Sequence, residues 1–361
     1  MRVLIVAGGT GGHLYPGVSV AKKLKEQNHQ VLMVIRDKEM EKEIVSKYQL
    51  EFATIAGVGL KKSISGLLVF GWQFLKGLNE AHSILARFQP EVILALGNYL
   101  SLPVALAGRR QNIPVVLHEQ NCLPGKATRF LAKKAAKICI SFKESLAYLD
   151  RFSSKIVITG NPLRPEMISA LLGAARPPIK NILVFGGSQG AHSINLAMLS
   201  ALDRLELVRS KVTITHLAGV QDLPLVENGY RERNFDVMLA SYLHDMQEAY
   251  TKANLVIARA GAATLAELAF FGLPSILIPY PFAAEDHQRI NAAVLVKAGA
   301  ARMIMDRELS GEILASNIIE IIQNENVLQN MSAAAKKLAQ PQAAENIVRV
   351  LTEILNTKAQ T

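Results

Sequence analysis

The chain has 361 residues, half of them hydrophobic, and a formal net charge of +10. That length is too great for one ordinary core and suits two domains with ample burial. Its two cysteines, Cys122 and Cys139, form no C-x-x-C pair, which argues for a reducing compartment and excludes a disulfide framework and a cysteine-bound structural metal.

After Met1-Arg2 only five apolar residues precede the first glycines, shorter than a secretory core. Strand-like runs then alternate with amphipathic helices. In the first half the strands fall near Val3–Val6, Val31–Ile35, Val92–Leu94, Val115–Leu117, Ile138–Ile140 and Ile156–Ile158. In the second they fall near Ile182–Phe185, Val212–Thr215, Val237–Leu239, Leu255–Ile257 and Ser275–Ile278. This alternation predicts an α/β chain of parallel βαβ units. The longest apolar stretch, Leu268–Ala284, is broken by Gly272, Pro274, Pro279 and Pro281. It reads as helix end, turn and buried strand rather than a membrane span. Gly160-Asn161-Pro162-Leu163-Arg164-Pro165 continues neither element type and is a candidate hinge. The expected domains are 1–160 and 161–340, and helix 342–357 is a candidate to rejoin the first.

Two glycine loops follow strands and open helices: Gly8-Gly9-Thr10-Gly11-Gly12-His13 and Gly186-Gly187-Ser188-Gln189-Gly190-Ala191. Such turns let a phosphate approach backbone N–H groups at the positive end of a helix. Two of them suggest two doubly wound domains facing each other across a cleft, with a diphosphate ligand between. His13 begins a helix, whose dipole favours a neutral ring able to accept a proton; a structural hydrogen bond is the plainer use of such a histidine. His118-Glu119-Gln120-Asn121 follows another strand, and four polar residues at a strand's carboxyl end call for partners.

In the second half Arg259-Ala260-Gly261-Ala262-Ala263-Thr264-Leu265-Ala266-Glu267 opens a helix. Glu267 suits a grip on two ribose hydroxyls, while Thr264-x-x-Glu267 is equally a capping box. Asp286-His287-Gln288-Arg289-x-Asn291 gathers hydrogen-bonding groups suited to a sugar, or is a polar loop with an Asp cap. No D-x-D triplet occurs, so helix ends with Arg164 or Arg259 are the expected neutralisers of a diphosphate, and no metal is expected.

Residues 1–160 hold 22 Lys and Arg against 11 Asp and Glu, a net +11, whereas residues 161–361 hold 18 against 19, a net −1. A basic half suits nucleic acid, anionic lipid or an acidic substrate. Within it Ile64, Leu68, Trp72, Leu75 and Leu78 recur at helical spacing, widened by Phe70 and Phe74 and flanked by Lys61, Lys62 and Lys76. That composition fits a helix docking on a bilayer interface, or a helix facing the first core.

Taken together, the loops resemble the MurG family of N-acetylglucosaminyltransferases of peptidoglycan synthesis, over essentially the whole chain. The motifs are Gly8–His13, His118–Asn121 with Pro124-Gly125, Gly160-Asn161-Pro162-x-Arg164, Gly186–Ala191, Arg259–Ala262 with Thr264 and Glu267, and His287-Gln288 with Asn291-Ala292. The resemblance implies a GT-B glycosyltransferase fold, with a lipid-binding first domain and a nucleotide-sugar-binding second. It implies transfer of GlcNAc from UDP-GlcNAc to the C4 hydroxyl of MurNAc in lipid I, giving lipid II, without a cofactor or nucleic acid. The site would lie at the cytoplasmic face of the inner membrane, on an anionic surface, with cell-wall synthesis and division proteins as candidate partners. By motif position, Thr10, Gly11 and Gly12 approach donor sugar or diphosphate, Asn121 the sugar, Arg164 and Ser188 the diphosphate, and Leu243 the uracil. Ala262, Ala263 and Thr264 line the diphosphate–ribose region, Glu267 holds ribose and Gln288 the GlcNAc hydroxyls. The chain departs from the family at Ala95, Asn98 and Leu102, where glycines are expected, and at Thr128, where asparagine is common.

An inverting displacement needs a base and stabilisation of the departing UDP. His13 is the preferred base and Glu119 the reserve. The rivals are a related enzyme acting on another membrane lipid, a non-catalytic nucleotide-sugar scaffold, and an NADP-dependent oxidoreductase using Arg36 for a 2′-phosphate.

Overall fold

The computed structural model describes residues 1–9, 11–57, 64–170, 180–187, 189–243 and 245–359. The chain divides into two compact units, one comprising Met1–Pro165 with Gln340–Thr361 and the other Glu166–Ala339.

The first unit runs β1 (Arg2–Val6), α1 (Gly11–Glu26), β2 (Gln30–Ile35), α2 (Glu39–Lys47), β3 (Phe52–Thr54), α3 (Ile64–Phe88), β4 (Val92–Ala95), α4 (Ser101–Arg110), β5 (Val115–Glu119), α5 (Lys126–Ala132), β6 (Lys137–Ile140) and β7 (Ile156–Ile158). Its strands form a parallel sheet in the order β3-β2-β1-β4-β5-β6-β7. Both faces of the sheet are covered, so strand residues alternate between two cores rather than between core and water. Val3 and Ile5 meet Leu14, Val18, Ala21 and Leu24 of α1. Leu4 and Val6 meet Ala81, Ile84 and Leu85 of α3 and Val104 of α4.

The second unit begins within α6 (Pro165–Ala170) and continues β8 (Lys180–Phe185), α7 (His192–Leu205), β9 (Val212–Leu217), α8 (Leu223–Glu232), β10 (Val237–Ala240), α9 (Met246–Lys252), β11 (Leu255–Ala258), α10 (Ala262–Phe271), β12 (Ser275–Leu277), α11 (His287–Lys297), β13 (Ala301–Met303), α12 (Gly311–Gln323) and α13 (Glu325–Lys337). Its parallel sheet has the order β10-β9-β8-β11-β12-β13. Ile182 and Val184 pack with Ile194, Met198 and Leu202 of α7 and with Leu314 and Ile318 of α12. The last helix, α14 (Ala343–Ala359), belongs to the first unit. Its Ile347 and Leu351, four apart on one face, are fully buried with the α1 residues. Burying each of these side chains stabilises by roughly 1.5–3 kcal/mol.

The two doubly wound Rossmann-like sheets match the expected fold class. Strands β3 and β13 carry no signal in the sequence reading, because Phe52–Thr54 and Ala301–Met303 are three residues long without the continuous β-branched run that marks the equally short β7. In each sheet the chain order reverses at one place, between β1 and β4 and between β8 and β11. Open α/β sheets bind ligands outside the carboxyl ends of strands at these points.

Candidate active site

In the first unit the switch point brings together the turn after β1, the turn after β4 and the polar end of β5. Gly11, Gly12 and His13 are the first residues of α1, all half-buried; Thr10 lies outside the described residues. The guanidinium of Arg164, in the hinge segment, stacks 4.2 Å over the ring of Tyr15, two residues past His13. That cation–π contact places Arg164 beside the start of α1.

His118 is fully buried. Gln120 Nε2 donates to its Nδ1 at 2.9 Å, and its Nε2 donates to the Gly160 carbonyl at 3.0 Å. Burial, opposed by the Gly160 bond and reinforced by the field of His13, lowers its pKa to about 4, so the ring is neutral. Glu119 is buried too. One oxygen accepts from the Asn121 N–H at 3.0 Å and from Asn121 Nδ2 at 3.4 Å. The other accepts from the Gly125 N–H at 2.9 Å and from the Thr128 hydroxyl at 2.5 Å. Desolvation raises the Glu119 pKa against the pull of these donors. A carboxylate with both oxygens engaged by its own loop shapes that loop and orients Asn121.

In the second unit α7 and α10 start from the adjacent strands β8 and β11. Among the described residues the cap residues, Ala191 and Gly261, make no side-chain cap hydrogen bond to the first-turn N–H groups. The glycine loop before α7 lies close on the turn after β9: a Cβ at Gly190 (φ +78°) would sit 2.2 Å from the Ala218 carbonyl oxygen. Ser188 lies outside the described residues. Ala262, Ala263 and Thr264 are the first three residues of α10. Since the cap is Gly261 and Thr264 lies inside the helix, the Thr264-x-x-Glu267 capping box does not form. Glu267 is buried and accepts from the Tyr250 hydroxyl at 2.8 Å. Leu243, half-buried, follows β10. Gln288 Oε1 accepts from the N–H groups of Ala260 at 3.1 Å and Tyr280 at 3.0 Å. That fixes the orientation of the amide.

Two arginines weighed from sequence are committed elsewhere. Arg259 NH1 pairs with Asp306 at 2.5 Å and donates to the carbonyls of Ile278 and Pro279, and NH2 donates to Ser193. It therefore braces the loop after β12 and is not an open diphosphate ligand. Arg36 Nε donates to buried Glu41 at 2.6 Å, and its terminal nitrogens reach Gly9 O and Tyr99 Oη. The oxidoreductase reading thereby loses the cation it needed, because Arg36 is already neutralised and enclosed.

The α3 stripe divides along its length. Trp72 and Leu75 are 61% and 60% exposed, with Val69 beside them. The Lys76 ammonium lies 5.7 Å from the Trp72 ring centroid. Leu78 instead packs against the core beneath α3, as Ala81, Ile84 and Leu85 do. The Leu68 side chain, Lys61 and Lys62 lie outside the described residues. A groove of about 380 Å³ beside the stripe is lined by Phe74, Leu78, Leu106, Arg109, Arg110 and Lys134. Among the described residues no helix is long and apolar enough to cross a membrane.

Comparison with known proteins agrees with this geometry. The glycosyltransferase family 28 N-terminal domain matches residues 3–140, and the family 28 C-terminal domain matches residues 181–347. A Geobacter sulfurreducens protein is 41% identical, over 96% of this chain and 97% of its own length. It is named UDP-N-acetylglucosamine–N-acetylmuramyl-(pentapeptide) pyrophosphoryl-undecaprenol N-acetylglucosamine transferase. A Desulforamulus reducens protein of the same name is 38% identical, over 98% of this chain and 99% of its own.

The chain belongs to the MurG family within glycosyltransferase family 28.

The crystal structure of Acinetobacter baumannii MurG aligns with a TM-score of 0.80 and 28% identity, covering 98% of this chain and 100% of that one. The S. aureus MnaA–UDP structure, at 14% identity and TM-score 0.71 over 98% of this chain and 97% of its own, shares the fold. Against the MurG pattern, the departures in this chain fill space and make bonds. Ala95 is buried in the core, and Leu102 packs against it. Thr128 bonds Glu119, and Asn98 Nδ2 donates to the Gly8 carbonyl. Tyr250, Glu41 and Asp306, which hold functional or neighbouring loops, carry no signal in the sequence, since their partners Glu267, Gly9 and Arg259 lie 17, 32 and 47 residues away.

Proposed function

We propose that the protein is an inverting, metal-independent glycosyltransferase. It moves GlcNAc from UDP-GlcNAc to the C4 hydroxyl of MurNAc in undecaprenyl-diphosphate-MurNAc-pentapeptide, giving lipid II for peptidoglycan. The observation that carries this reading is the pair of uncapped helix N-termini, α7 and α10, at one switch point, in a chain so similar to proteins named for this transfer. Two helix ends and their N–H groups suit a diphosphate that gains charge as UDP departs.

On this reading the second unit binds the donor. Ala262, Ala263, Thr264 and Ser188 face the diphosphate, Glu267 the ribose hydroxyls, Leu243 the uracil through its backbone, and the Gln288 NH2 group the GlcNAc hydroxyls. The first unit binds lipid I, and its Thr10, Gly11 and Gly12 serve the donor sugar or diphosphate, Asn121 the sugar and Arg164 the diphosphate. His13 takes the proton from the acceptor hydroxyl as the anomeric carbon–oxygen bond to UDP breaks and the new bond forms on the opposite face. Glu119 is set aside as base because four donors, three from the loop that follows it and one from α5, engage it. Trp72, Leu75 and Lys76, with the groove cations Arg109, Arg110 and Lys134, meet the anionic cytoplasmic leaflet.

The test is transfer itself. UDP-GlcNAc with lipid I should give a β-linked disaccharide by NMR, and calorimetry should show binding of UDP-GlcNAc with far weaker binding of UDP-galactose and none of NADPH. An α-linked product, or equal binding of UDP-galactose, overturns the assignment.

A further inference from the structure

Both polar groups of the peptide unit joining Gly8 and Gly9 are held by side chains from two other segments, Asn98 and Glu41, and Arg36 holds the Gly9 carbonyl that follows. Glu41, 1% exposed, accepts from the Gly9 N–H at 3.1 Å, the Arg36 N–H at 2.9 Å and Arg36 Nε at 2.6 Å. Arg36 NH2 returns to the Gly9 carbonyl, and NH1 donates to the Tyr99 hydroxyl at 3.2 Å. Asn98 donates through Nδ2 to the Gly8 carbonyl, while its Oδ1 accepts from the Ser101 N–H at 3.1 Å. Neither glycine tolerates a side chain. A Cβ on Gly8 would lie 2.6 Å from Leu100 Cδ1 and 2.9 Å from Glu41 Oε2, and Gly9 has φ +121°.

Two consequences follow. An N–H that faces a buried carboxylate is closed to a phosphate, so the Gly8–Gly9 end of the loop braces rather than binds. Anion binding then falls to the start of α1, at Gly11 and Gly12. The braced peptide lies just before α1, which begins at Gly11, and His13 stands four residues beyond Gly9. Buried ion pairs contribute little net stability but can hold one conformation against others.

We propose that Arg36, Glu41 and Asn98 are positioning residues for His13, acting through the Gly8–Gly9 peptide. The inference rests on the reading of His13 as base. A lysine at 36 keeps the charge beside Glu41 but loses the fork that reaches Gly9 O and Tyr99 Oη together. A misplaced base slows chemistry while leaving the donor site intact.

The experiment is a double-mutant cycle on full-length protein, with kcat and donor KM measured for wild type, Arg36→Lys, His13→Ala and the double variant. Arg36→Lys should lower kcat about 10-fold or more with donor KM within about 2-fold. In the His13→Ala background the same change should cost less than about 3-fold, since there is no base left to misplace. Asn98→Ala, which leaves the Arg36–Glu41 pair in place and removes the bond to Gly8 O together with the bonds from Ser101, should repeat the pattern more weakly and serves if Arg36→Lys fails to fold by circular dichroism. Equal losses in both backgrounds, or unchanged kcat in a folded Arg36→Lys and Asn98→Ala, overturn the brace. A normal kcat in His13→Ala overturns the base assignment on which it rests.

Discussion

His118 and Gly160 are joined by a 3.0 Å hydrogen bond from the imidazole Nε2 to the backbone carbonyl, tying the end of β5 to the hinge segment. With Gln120 donating to Nδ1, the ring is locked as the neutral tautomer. His216 is held the same way in the second unit: Nε2 donates to Asn195 Oδ1 and Nδ1 accepts from the Tyr230 hydroxyl, each at 3.0 Å. Adding a proton to either ring would break an accepted bond and bury a charge.

Stability should therefore fall in mild acid. Burial lowers both histidines from 6.5 to about 4. Between these values the unfolded chain binds protons that the native chain does not, so stability is lost as pH drops through that window. The shift corresponds to about 3 kcal/mol for each ring. Glu119, raised by burial, works oppositely as pH rises through its native pKa. The melting temperature should decline from pH 7 to pH 4, and the decline should be shallower in His216→Gln. Parallel curves for variant and wild type would remove His216 from this account.

Glu267→Ala should weaken UDP-GlcNAc binding while keeping the fold. A hydrogen bond from a charged group to ribose is worth roughly 1.5–3 kcal/mol. Tyr250→Phe, which removes the 2.8 Å bond that orients the carboxylate, should weaken binding by a smaller step. Calorimetry decides: wild-type affinity in Glu267→Ala sinks the ribose role, and a drop in melting temperature alone assigns Glu267 to the core around Tyr250.

Much of this was legible in the sequence, for a physical reason. Strands buried on both faces are short continuous apolar runs, and turns at their carboxyl ends must be rich in glycine and polar residues to serve a ligand. Hence β1, β8 and β11 and their loops stood out, and the loops in order pointed to the MurG family. Partnership across the sheet was not legible. Arg36 looked like a 2′-phosphate ligand because its neutraliser, Glu41, lies on the next helix with nothing to mark it as buried. Arg259 looked open because Asp306 is 47 residues away. The Thr264–Glu267 spacing fits a capping box, but the helix starts earlier, at Ala262, with Gly261 as its cap.

Transfer should persist in excess EDTA. The sequence has no D-x-D triplet, and the uncapped starts of α7 and α10 offer positive potential to the diphosphate. Loss of turnover on chelation, restored by added magnesium, would overturn the metal-independent mechanism.

Membrane attachment should depend on the outer half of α3. Trp72 and Leu75 are apolar side chains left in water by the fold, and Lys76 lies against the Trp72 ring. Phe130 is exposed on α5 with Lys134 5.8 Å from its ring centroid. Each Lys or Arg near an anionic leaflet is worth about 1 kcal/mol, and each large apolar side chain buried adds roughly 1.5–3 kcal/mol. Neither contribution anchors the protein firmly alone, but together they give reversible attachment that salt weakens. Binding to anionic vesicles should fall in Trp72→Glu and Leu75→Glu, with circular dichroism unchanged because neither side chain is core. Leu78→Glu should instead destabilise the fold, since Leu78 packs against the core. Activity on lipid I in vesicles should suffer more from the two outer changes than activity on a water-soluble acceptor. Vesicle sedimentation at low and high salt reads the effect. If both outer variants stay folded and sediment like wild type, attachment belongs to another part of the basic unit.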